Sequence, residues 1–268
     1  MTGRLPDYFG LDRFSISADD IVRLAFRCDP SRIHRDVLVT PVWSHETFLN
    51  VADLDEIVTP ETVYSLRYSG TPVTLIRSGV GAPLTGDAIL ALACTPCARV
   101  VFVGSVGGLL PEMAIGDLIV ASESVSGDGF SSYLPKGPLG PVSFLSTAMA
   151  DPGLTNSIEL LGMPLCRDHG ASLTKGRVFS TDSIVAQFHH LEEIVHGHGC
   201  LGIEMETAAV FRAAALIGIP AAALLQISDV TPDKKSLFSG RTEADQRRRS
   251  HLRQHLLSRI ALDALVAP

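Results

Sequence analysis

Short apolar runs alternate along the chain with segments of helical periodicity, and this alternation restricts the fold more than any other feature of the sequence. Apolar runs of a few residues are typical of buried strands, and the patterned segments between them are typical of helices that cover a sheet. The sequence therefore predicts an α/β fold. The predicted strands are Val37–Thr40, Val73–Arg77, Val100–Val103, Leu118–Ala121, Ala171–Phe179 and Ala221–Ile227. The predicted helices are Pro83–Ala93, Phe144–Leu161 (with an interruption at Pro152 and Gly153), Ile184–Val195, Thr207–Ile217 and Thr242–Ala264.

Composition and charge favour a globular protein and argue against nucleic-acid-binding and membrane-spanning proteins. Apolar residues make up 46% of the 268 residues and charged residues 19%, a balance that supports a large core. The net charge of −7 argues against a nucleic-acid partner, because phosphate backbones attract basic surfaces. The sequence contains no apolar run long enough to predict a membrane-spanning helix. Five cysteines, an odd number, and the lack of an apolar signal core in Met1–Asp12 favour reduced thiols and a cytoplasmic location.

Two glycine-rich segments follow predicted strands, namely Ser78–Pro83 and Val103–Gly108. Small residues at such a point let a ligand approach the backbone, and consecutive N–H groups can bind an anion or a hydroxyl. Neither segment has the spacing of a dinucleotide-binding or P-loop motif, and each is equally compatible with a simple turn. The segments Ser126–Gly140 and Val230–Gly240 are predicted loops that could cover a site or merely connect elements.

Two carboxylates, Glu204 and Glu206, flank Met205 just before a strongly apolar predicted helix. If this segment is extended, the two side chains share one face. A carboxylate can accept both hydrogens of a vicinal diol, which suits a ribose. The structural alternative is an acid that is stabilised by the positive end of the helix dipole, which accounts more readily for one glutamate than for two.

Asp229 follows Ser228 at the carboxyl end of the buried run Ala221–Ile227. A buried aspartate is costly unless it is paired or protonated, and a raised pKa suits a general acid at neutral pH. The structural alternative is a helix N-cap for the segment that follows.

Two further clusters favour ordinary surface roles. The histidines His189, His190, His196 and His198 lack the spacing of metal ligands, so we predict neither a metal site nor a cofactor. The basic run Arg247–Arg249, together with Arg253, falls in a helical pattern and is predicted to form a solvated helix face.

Taken in order, these stretches resemble the nucleoside phosphorylase family, which includes purine nucleoside phosphorylases, uridine phosphorylases and methylthioadenosine/S-adenosylhomocysteine nucleosidases. The matching segments are Arg77–Gly81, Val103–Leu109, Gly116–Val120, Val178–Ser183, Glu204–Ala208 and Ile227–Val230. The resemblance implies a single-domain, three-layer α/β/α fold with a mixed central sheet. It also implies cleavage of an N-glycosidic bond and a homodimer, or a hexamer built from dimers. We accordingly divide the chain into an N-terminal extension, residues 1–35, and a catalytic domain, residues 36–268.

The resemblance also implies roles for individual residues. Glu206 is expected to hold the ribose hydroxyls, Met205 to pack on the sugar face, and Glu204 to lie near the sugar as a second carboxylate. Asp229, oriented by Ser228, is expected to protonate the leaving base. Since a purine can accept that proton at N7, a purine nucleoside, with or without a 5′ modification, is the favoured substrate.

Other expected positions surround the base and the attacking group. Ile184 and Val185 are expected beside the base. Gly81, Gly104 and Ser105 are expected to line the pocket for the attacking group.

The chain departs from the family where the phosphorylases carry two phosphate-binding arginines. Val42–Ser44 and Phe102 occupy those positions, and Trp43 and Phe102 are expected to make the cavity apolar, which favours water over a dianion. Arg77 or His45 could compensate.

These departures favour a purine nucleosidase that uses water, with Glu46 as the candidate for activating it. A phosphorylase with a rearranged phosphate site is the first alternative. A non-catalytic nucleoside-binding protein is the second, although the presence of both Glu206 and Asp229 argues against it.

Overall fold

A mixed sheet of ten strands forms the centre of the computed structural model, which describes residues 4–267. The strands are β1 (Asp36–Thr40), β2 (Asp53–Thr59), β3 (Val63–Tyr68), β4 (Thr71–Arg77), β5 (Arg99–Gly108), β6 (Leu118–Gly127), β7 (Thr147–Met149), β8 (Leu173–Thr181), β9 (Gly202–Glu204) and β10 (Ala221–Val230). Their order is β10-β6-β8-β9-β5-β1-β4-β3-β2, with β7 paired to β6.

Five of these strands close into a ring, because β10 pairs with β5 as well as with β6. Within the ring, β5–β10, β6–β8 and β8–β9 are parallel, whereas β6–β10 and β5–β9 are antiparallel. The closure brings the carboxyl ends of β5, β8, β9 and β10 close together. Ligands in open α/β sheets bind at such ends, so this edge is where a site is expected.

Helices cover both faces of the sheet. They are α1 (Arg4–Phe9), α2 (Ala18–Phe26), α3 (Ala82–Ala91), α4 (Pro152–Asp168), α5 (Thr207–Ile217), α6 (Glu243–Leu252) and α7 (Ser258–Val266). On one face α2, α3 and α5 contribute Phe26, Ile89 and Phe211 to a core. On the other, α4 and α7 contribute Ile158 and Leu262 to a second core. The predicted three-layer α/β/α fold with a mixed sheet is confirmed.

All six predicted strands are present, with shifted ends. The hairpin of β2 and β3 was not predicted. The outer strand β2 is largely exposed and carries the sequence DLDEIVT, so it lacks the buried apolar run that identifies an internal strand. β10 instead is buried along its whole length and was predicted correctly.

The prediction of a helix over Phe144–Leu161 is wrong in its first half. Asp151 caps the helix by accepting the N–H of Leu154, and Pro152 is the first helical residue, so α4 begins there. The residues before Asp151 instead form turns and β7.

Two other predicted helices differ from a continuous α-helix. Ile184–Val195 consists of a 3₁₀ segment, Ala186–His190, followed by a π-helical turn, Glu193–Gly197. The C-terminal helix is present as α6 and α7, joined by a π-helical turn over Arg253–Leu257. Among residues 4–267, no helix combines the length and apolarity that a membrane span requires.

The close packing of α3 on the segment after β6 gives a stability prediction. A methyl group added at Gly86, inside α3, would lie 2.3 Å from the ring of Phe130. Replacing a helical glycine by alanine normally stabilises a helix by up to about 1 kcal/mol. We expect Gly86→Ala instead to lower the free energy of unfolding by about 1–3 kcal/mol, as overpacking does.

Urea denaturation measures this effect, and the Gly86→Ala/Phe130→Ala double variant is its control. Removal of the ring should make the added methyl group neutral or favourable relative to Phe130→Ala alone. A stabilised Gly86→Ala single variant would contradict the packing described for α3.

Candidate functional site

A cavity of about 230 Å³ lies at the carboxyl ends of the ring strands. Seven of the predicted site residues line it: Ser105, Ile184, Glu204, Met205, Glu206, Ser228 and Asp229. They come from β5, β9, β10 and the segments that follow β8 and β9, so the fold brings together positions more than 100 residues apart. We call this space the catalytic cavity.

The carboxylate of Glu204 accepts hydrogen bonds from other groups of the protein. It accepts the N–H groups of Glu206 (2.8 Å) and Thr207 (2.7 Å) and the hydroxyl of Ser180. These bonds cap the beginning of α5, so Glu204 fills the role that the helix-dipole alternative proposed. Burial raises the pKa of Glu204, while its hydrogen bonds oppose that shift. Glu204 therefore borders the catalytic cavity but has few lone pairs left for a ligand.

The side chain of Glu206 has a different hydrogen-bond partner from that of Glu204 and a different position relative to α5. The segment is not extended as far as Glu206, because β9 ends at Glu204 and Glu206 occupies the N-cap position of α5 with φ −135° and ψ −30°. Its Oε1 accepts the N–H of Gly81 at 2.6 Å. Burial, followed by the charge of Glu204, raises the pKa of Glu206 to about 8. Glu206 thus presents a carboxyl group with a free oxygen to the cavity.

Ser228 and Asp229 reach the same cavity through a β-bulge. The register between β10 and β5 shifts between Ile227 and Asp229, so Ser228 is an extra residue. Such a bulge re-aims the side chains that follow it. The Ser228 hydroxyl donates to Oδ1 of Asp229 at 2.5 Å, and burial raises the pKa of Asp229 despite that bond. Gly107 allows this approach, since a methyl group there would lie 3.3 Å from Oδ2 of Asp229.

An unexpected guanidinium completes the catalytic cavity. Arg249, on α6, donates from Nη2 to the hydroxyl of Ser105 at 2.8 Å. Its Nε is buried and has no hydrogen-bond partner among the described residues. Burial, followed by the charges of Arg253 and Arg241, lowers the pKa of Arg249 to about 10, so it remains cationic at neutral pH.

The prediction of a solvated basic helix face is therefore wrong for three of its four arginines. Arg253 lies over the ring of Trp43 and its Nε is buried. Arg248 pairs with Asp117 at 2.9 Å, and Arg249 enters the cavity. Within that run only Arg247 is exposed, beside Glu243. A sequence signal existed: Arg249 and Arg253 are four residues apart and share a helix face, which is not the face of Arg247.

Five predicted site residues do not line the catalytic cavity. Gly81 contributes through its N–H to Glu206 instead. Gly104 lies inside β5 against the ring of Phe102. Val185 is 71% exposed. Arg77 borders a separate cavity of about 440 Å³ between the N-terminal helices and α3.

Glu46, the candidate for activating water, does not line the catalytic cavity either. Glu46 is exposed in a short 3₁₀ turn, where a hydrogen bond from Ser44 lowers its pKa. A low pKa weakens a general base. His45, the other residue of this turn with an expected role, stacks on Tyr64 with ring centroids 4.5 Å apart.

Trp43 and Phe102 do not make the cavity apolar, because neither lines it. Phe102 is buried in the sheet core, and Trp43 lies 5.3 Å beneath the guanidinium of Arg253. This removes one argument against a charged attacking group.

Several other lining residues, among them Thr181, Gln187 and Leu237, were not among the predicted site residues. Leu237 belongs to the predicted loop Val230–Gly240, which therefore folds over the cavity. In residues 4–267 no group of three or more metal-binding side chains is close enough to hold an ion.

Comparison with known proteins identifies the family of the chain. Residues 45–261 match the phosphorylase superfamily. The chain is 30% identical over 188 residues to a DeoD-type purine nucleoside phosphorylase of Roseobacter denitrificans, which covers 70% of this chain and 76% of that protein. It is 26% identical to a 5′-methylthioadenosine/S-adenosylhomocysteine nucleosidase of Haemophilus influenzae, over 67% of this chain and 78% of that protein.

Solved structures share the fold. A uridine phosphorylase from Vibrio fischeri superposes with a TM-score of 0.70 at 22% identity, covering 88% of this chain and 94% of that one. An AMP nucleosidase from Bacteroides thetaiotaomicron gives a TM-score of 0.65 at 19% identity, covering 92% and 94%. Proteins named for phosphorolysis and for hydrolysis thus share the architecture.

The buried state of Glu206 predicts a pH-dependent stability. Its pKa is raised from 4.5 to about 8, so the folded protein holds this proton more tightly than the unfolded chain does. The resulting stabilisation is complete below about 4.5 and is lost as the pH rises through about 8. We expect Glu206→Gln to keep the fold and to have a melting temperature that gains on wild type progressively across this window.

Thermal melts across the pH range test this, with the exposed Glu112→Gln as the matched control. The control should follow wild type at every pH. Parallel curves for wild type and Glu206→Gln would show that the Glu206 carboxyl is not perturbed by its surroundings.

Proposed function

Because the chain belongs to the phosphorylase superfamily, we propose that it cleaves the N-glycosidic bond of a purine nucleoside with phosphate as the attacking group. One observation carries this proposal: the catalytic cavity combines the buried Ser228–Asp229 pair, the carboxyl group of Glu206 and the guanidinium of Arg249. Each of the three regions of the reaction, namely base, sugar and acceptor, then has one matching chemical group.

Departure of the base requires a proton, and Asp229 is the proposed donor. Burial raises the pKa of Asp229, which increases its protonated fraction at neutral pH. The Ser228 hydroxyl binds Oδ1, so Oδ2 is left to carry the proton towards N7 of a purine. Protonation of the leaving group contributes about 10²–10⁴ in rate.

The sugar becomes cationic as the bond breaks, and Glu206 is the proposed group beside it. One carboxyl oxygen is held by Gly81, which leaves the other for the ribose hydroxyls. Glu206 must be ionised to stabilise the cation, whereas Asp229 must be protonated. The active form is therefore the one with a proton on Asp229 and a charge on Glu206, and kcat/KM should fall on both sides of its pH optimum.

Arg249 supports phosphate as the attacking group. A buried cation without an ionic partner is costly, and an anion beside it offsets that cost. Asp229 is the acid whose charge acts on Arg249, and the proton proposed on Asp229 removes that charge. The Nη2 of Arg249 donates to the hydroxyl of Ser105, the residue expected to line the acceptor pocket. The preference for water rested on the apparent lack of a guanidinium, and Arg249 removes that premise.

Hydrolysis is the second candidate. Arg249 is the single arginine among the lining residues that the structure describes, and Pro41, Val42 and Val80 make part of the wall apolar. Such a wall tolerates water better than a dianion. The similarity to a nucleosidase is consistent with this alternative.

The two candidates are separated by phosphate dependence. We expect base release from inosine and adenosine to require added phosphate and to yield ribose 1-phosphate. Arg249→Met should raise the KM for phosphate about 10- to 100-fold, because a charged hydrogen bond contributes about 1.5–3 kcal/mol. The KM for the nucleoside should change much less.

Arg247→Met is the matched control, since Arg247 lies on the same helix but is exposed. It should behave as wild type. Release of free ribose at an undiminished rate in phosphate-free buffer would establish water as the acceptor.

The acid role of Asp229 has its own test. We expect Asp229→Asn to lose at least about 10² in kcat on purine nucleosides, because an amide cannot donate the required proton. A riboside whose leaving group is 4-nitrophenolate needs no proton, so its cleavage should be nearly unchanged. An equal loss on both substrates would assign Asp229 a structural role.

A further inference from the structure

A second cavity, of about 210 Å³, adjoins the catalytic cavity, and we call it the side pocket. The two cavities have Thr181 and Gln187 in common, so they adjoin at these residues. The ends of β6 and β8 form one wall of the side pocket, at Gly127 and Phe179. The helical segment that follows β8 forms the opposite wall, with Ala186.

The inner walls of the side pocket are apolar. Phe144, Leu145, Phe179 and Ile194 line it, and the ring of His198 packs against Phe179 at 6.0 Å. His190 and Glu193 also border the pocket, but their side chains are 67% and 60% exposed and lie 3.9 Å apart at the rim. None of the buried polar atoms that lack a partner, among those the structure describes, belongs to a lining residue. The interior therefore suits a hydrocarbon group.

Leu145, which forms part of the wall of the side pocket, has a backbone conformation that leucine rarely adopts. Its φ is +59°, in the left-handed region that disfavours leucine. Its N–H donates to the carbonyl of Ser126 at 2.8 Å. Arg212 fixes both sides of this contact by donating to the hydroxyls of Ser126 (2.8 Å) and Ser146 (2.6 Å). These hydrogen bonds hold Leu145 at the side pocket, and the residues that make them do not line the catalytic cavity.

The side pocket lies on the side of the catalytic cavity where the leaving base is proposed to bind. Gln187 belongs to the segment after β8 that also places Ile184 on the catalytic cavity, and in the proposed function this segment lies beside the base. Ser105 and Arg249, on the proposed acceptor side, line the catalytic cavity alone. The side pocket therefore extends the space for the base and not the space for phosphate.

Size supports joint use of the two cavities. Pockets for small molecules usually enclose about 300–1,000 Å³. The catalytic cavity, at about 230 Å³, is below that range by itself, as is the side pocket at about 210 Å³. Together they fall within it.

We propose that the side pocket binds an apolar substituent on the departing base, so that the preferred substrate is a purine nucleoside with an alkyl or aryl group on its base. This inference rests on the proposed function. It adds a specificity determinant, formed by Leu145, Phe179 and Ile194, that takes no part in bond cleavage.

The test compares kcat/KM for adenosine with that for adenosine carrying a benzyl group either on the 6-amino nitrogen or on C2 of the base. Burial of the benzyl group should favour one of the two benzylated substrates by on the order of tenfold or more. Ala186→Phe, which fills the pocket from the helical wall, should abolish this preference and leave kcat/KM for adenosine unchanged. Ala186→Ser is the matched control and should retain the preference.

The outcomes distinguish the two proposals. If none of the three nucleosides is cleaved, with or without phosphate, the proposed function fails. If adenosine is cleaved but neither benzyl group helps, or if Ala186→Phe leaves the preference intact, the side-pocket proposal fails while the proposed function stands. A preference that follows a benzylthio group at the 5′ position instead would also overturn it, because the pocket would then serve the sugar.

Discussion

The buried carboxylate of Glu204 is the interaction on which the geometry of the site depends. It receives the hydroxyl of Ser180, from β8, and the N–H groups of Glu206 and Thr207 at the beginning of α5. Ser180 in turn accepts the N–H of Ala208 at 2.8 Å. One fully buried network therefore fixes β8, β9 and α5 relative to each other, and a partly satisfied network of this kind would be costly. Met205 and Glu206 project into the catalytic cavity because their neighbours are held in this way.

The second constraint is the closed ring of strands. Closure through the β5–β10 pairing places Ser105 and Asp229 at one rim, and the bulge at Ser228 turns Asp229 into the cavity. The rim collects two acids with raised pKa values, Glu206 and Asp229, and one buried cation, Arg249. Titratable groups whose environments shift them away from ordinary values mark sites of chemistry. Two buried carboxyl groups with raised pKa values and one guanidinium therefore share a single cavity, and the proposed function uses one carboxyl group protonated and the other ionised.

The superfamily fold supports both phosphorolysis and hydrolysis, so the fold does not decide between acceptors. The resemblance places the phosphate arginines of phosphorylases near positions that are Val42–Ser44 and Phe102 in this chain. In this structure a positive charge instead comes from the C-terminal helix, through Arg249. In the proposed function this guanidinium takes the place of those arginines at the acceptor side of the cavity. The dimeric or hexameric assembly implied by the resemblance stays a prediction.

The sequence by itself determined the α/β class, the main strands and seven of the residues that line the catalytic cavity. It could do so because buried strands appear in the sequence as unbroken apolar runs. In addition, Glu204–Thr207 and Ile227–Val230 are short continuous segments, so they can be found without knowledge of the tertiary structure. The exposed strand β2 leaves no such run and was missed. Only the tertiary structure decided that Glu204 caps a helix while Glu206 faces the cavity, since that depends on Ser180 and Gly81 from distant segments. It also decided that Arg249 is buried beside Ser105, 144 residues earlier, whereas Arg247 is solvated. The three consecutive arginines are chemically identical. Their surroundings differ because each side chain leaves the helix in a different direction, and the packing of that helix on the sheet decides which direction is solvent.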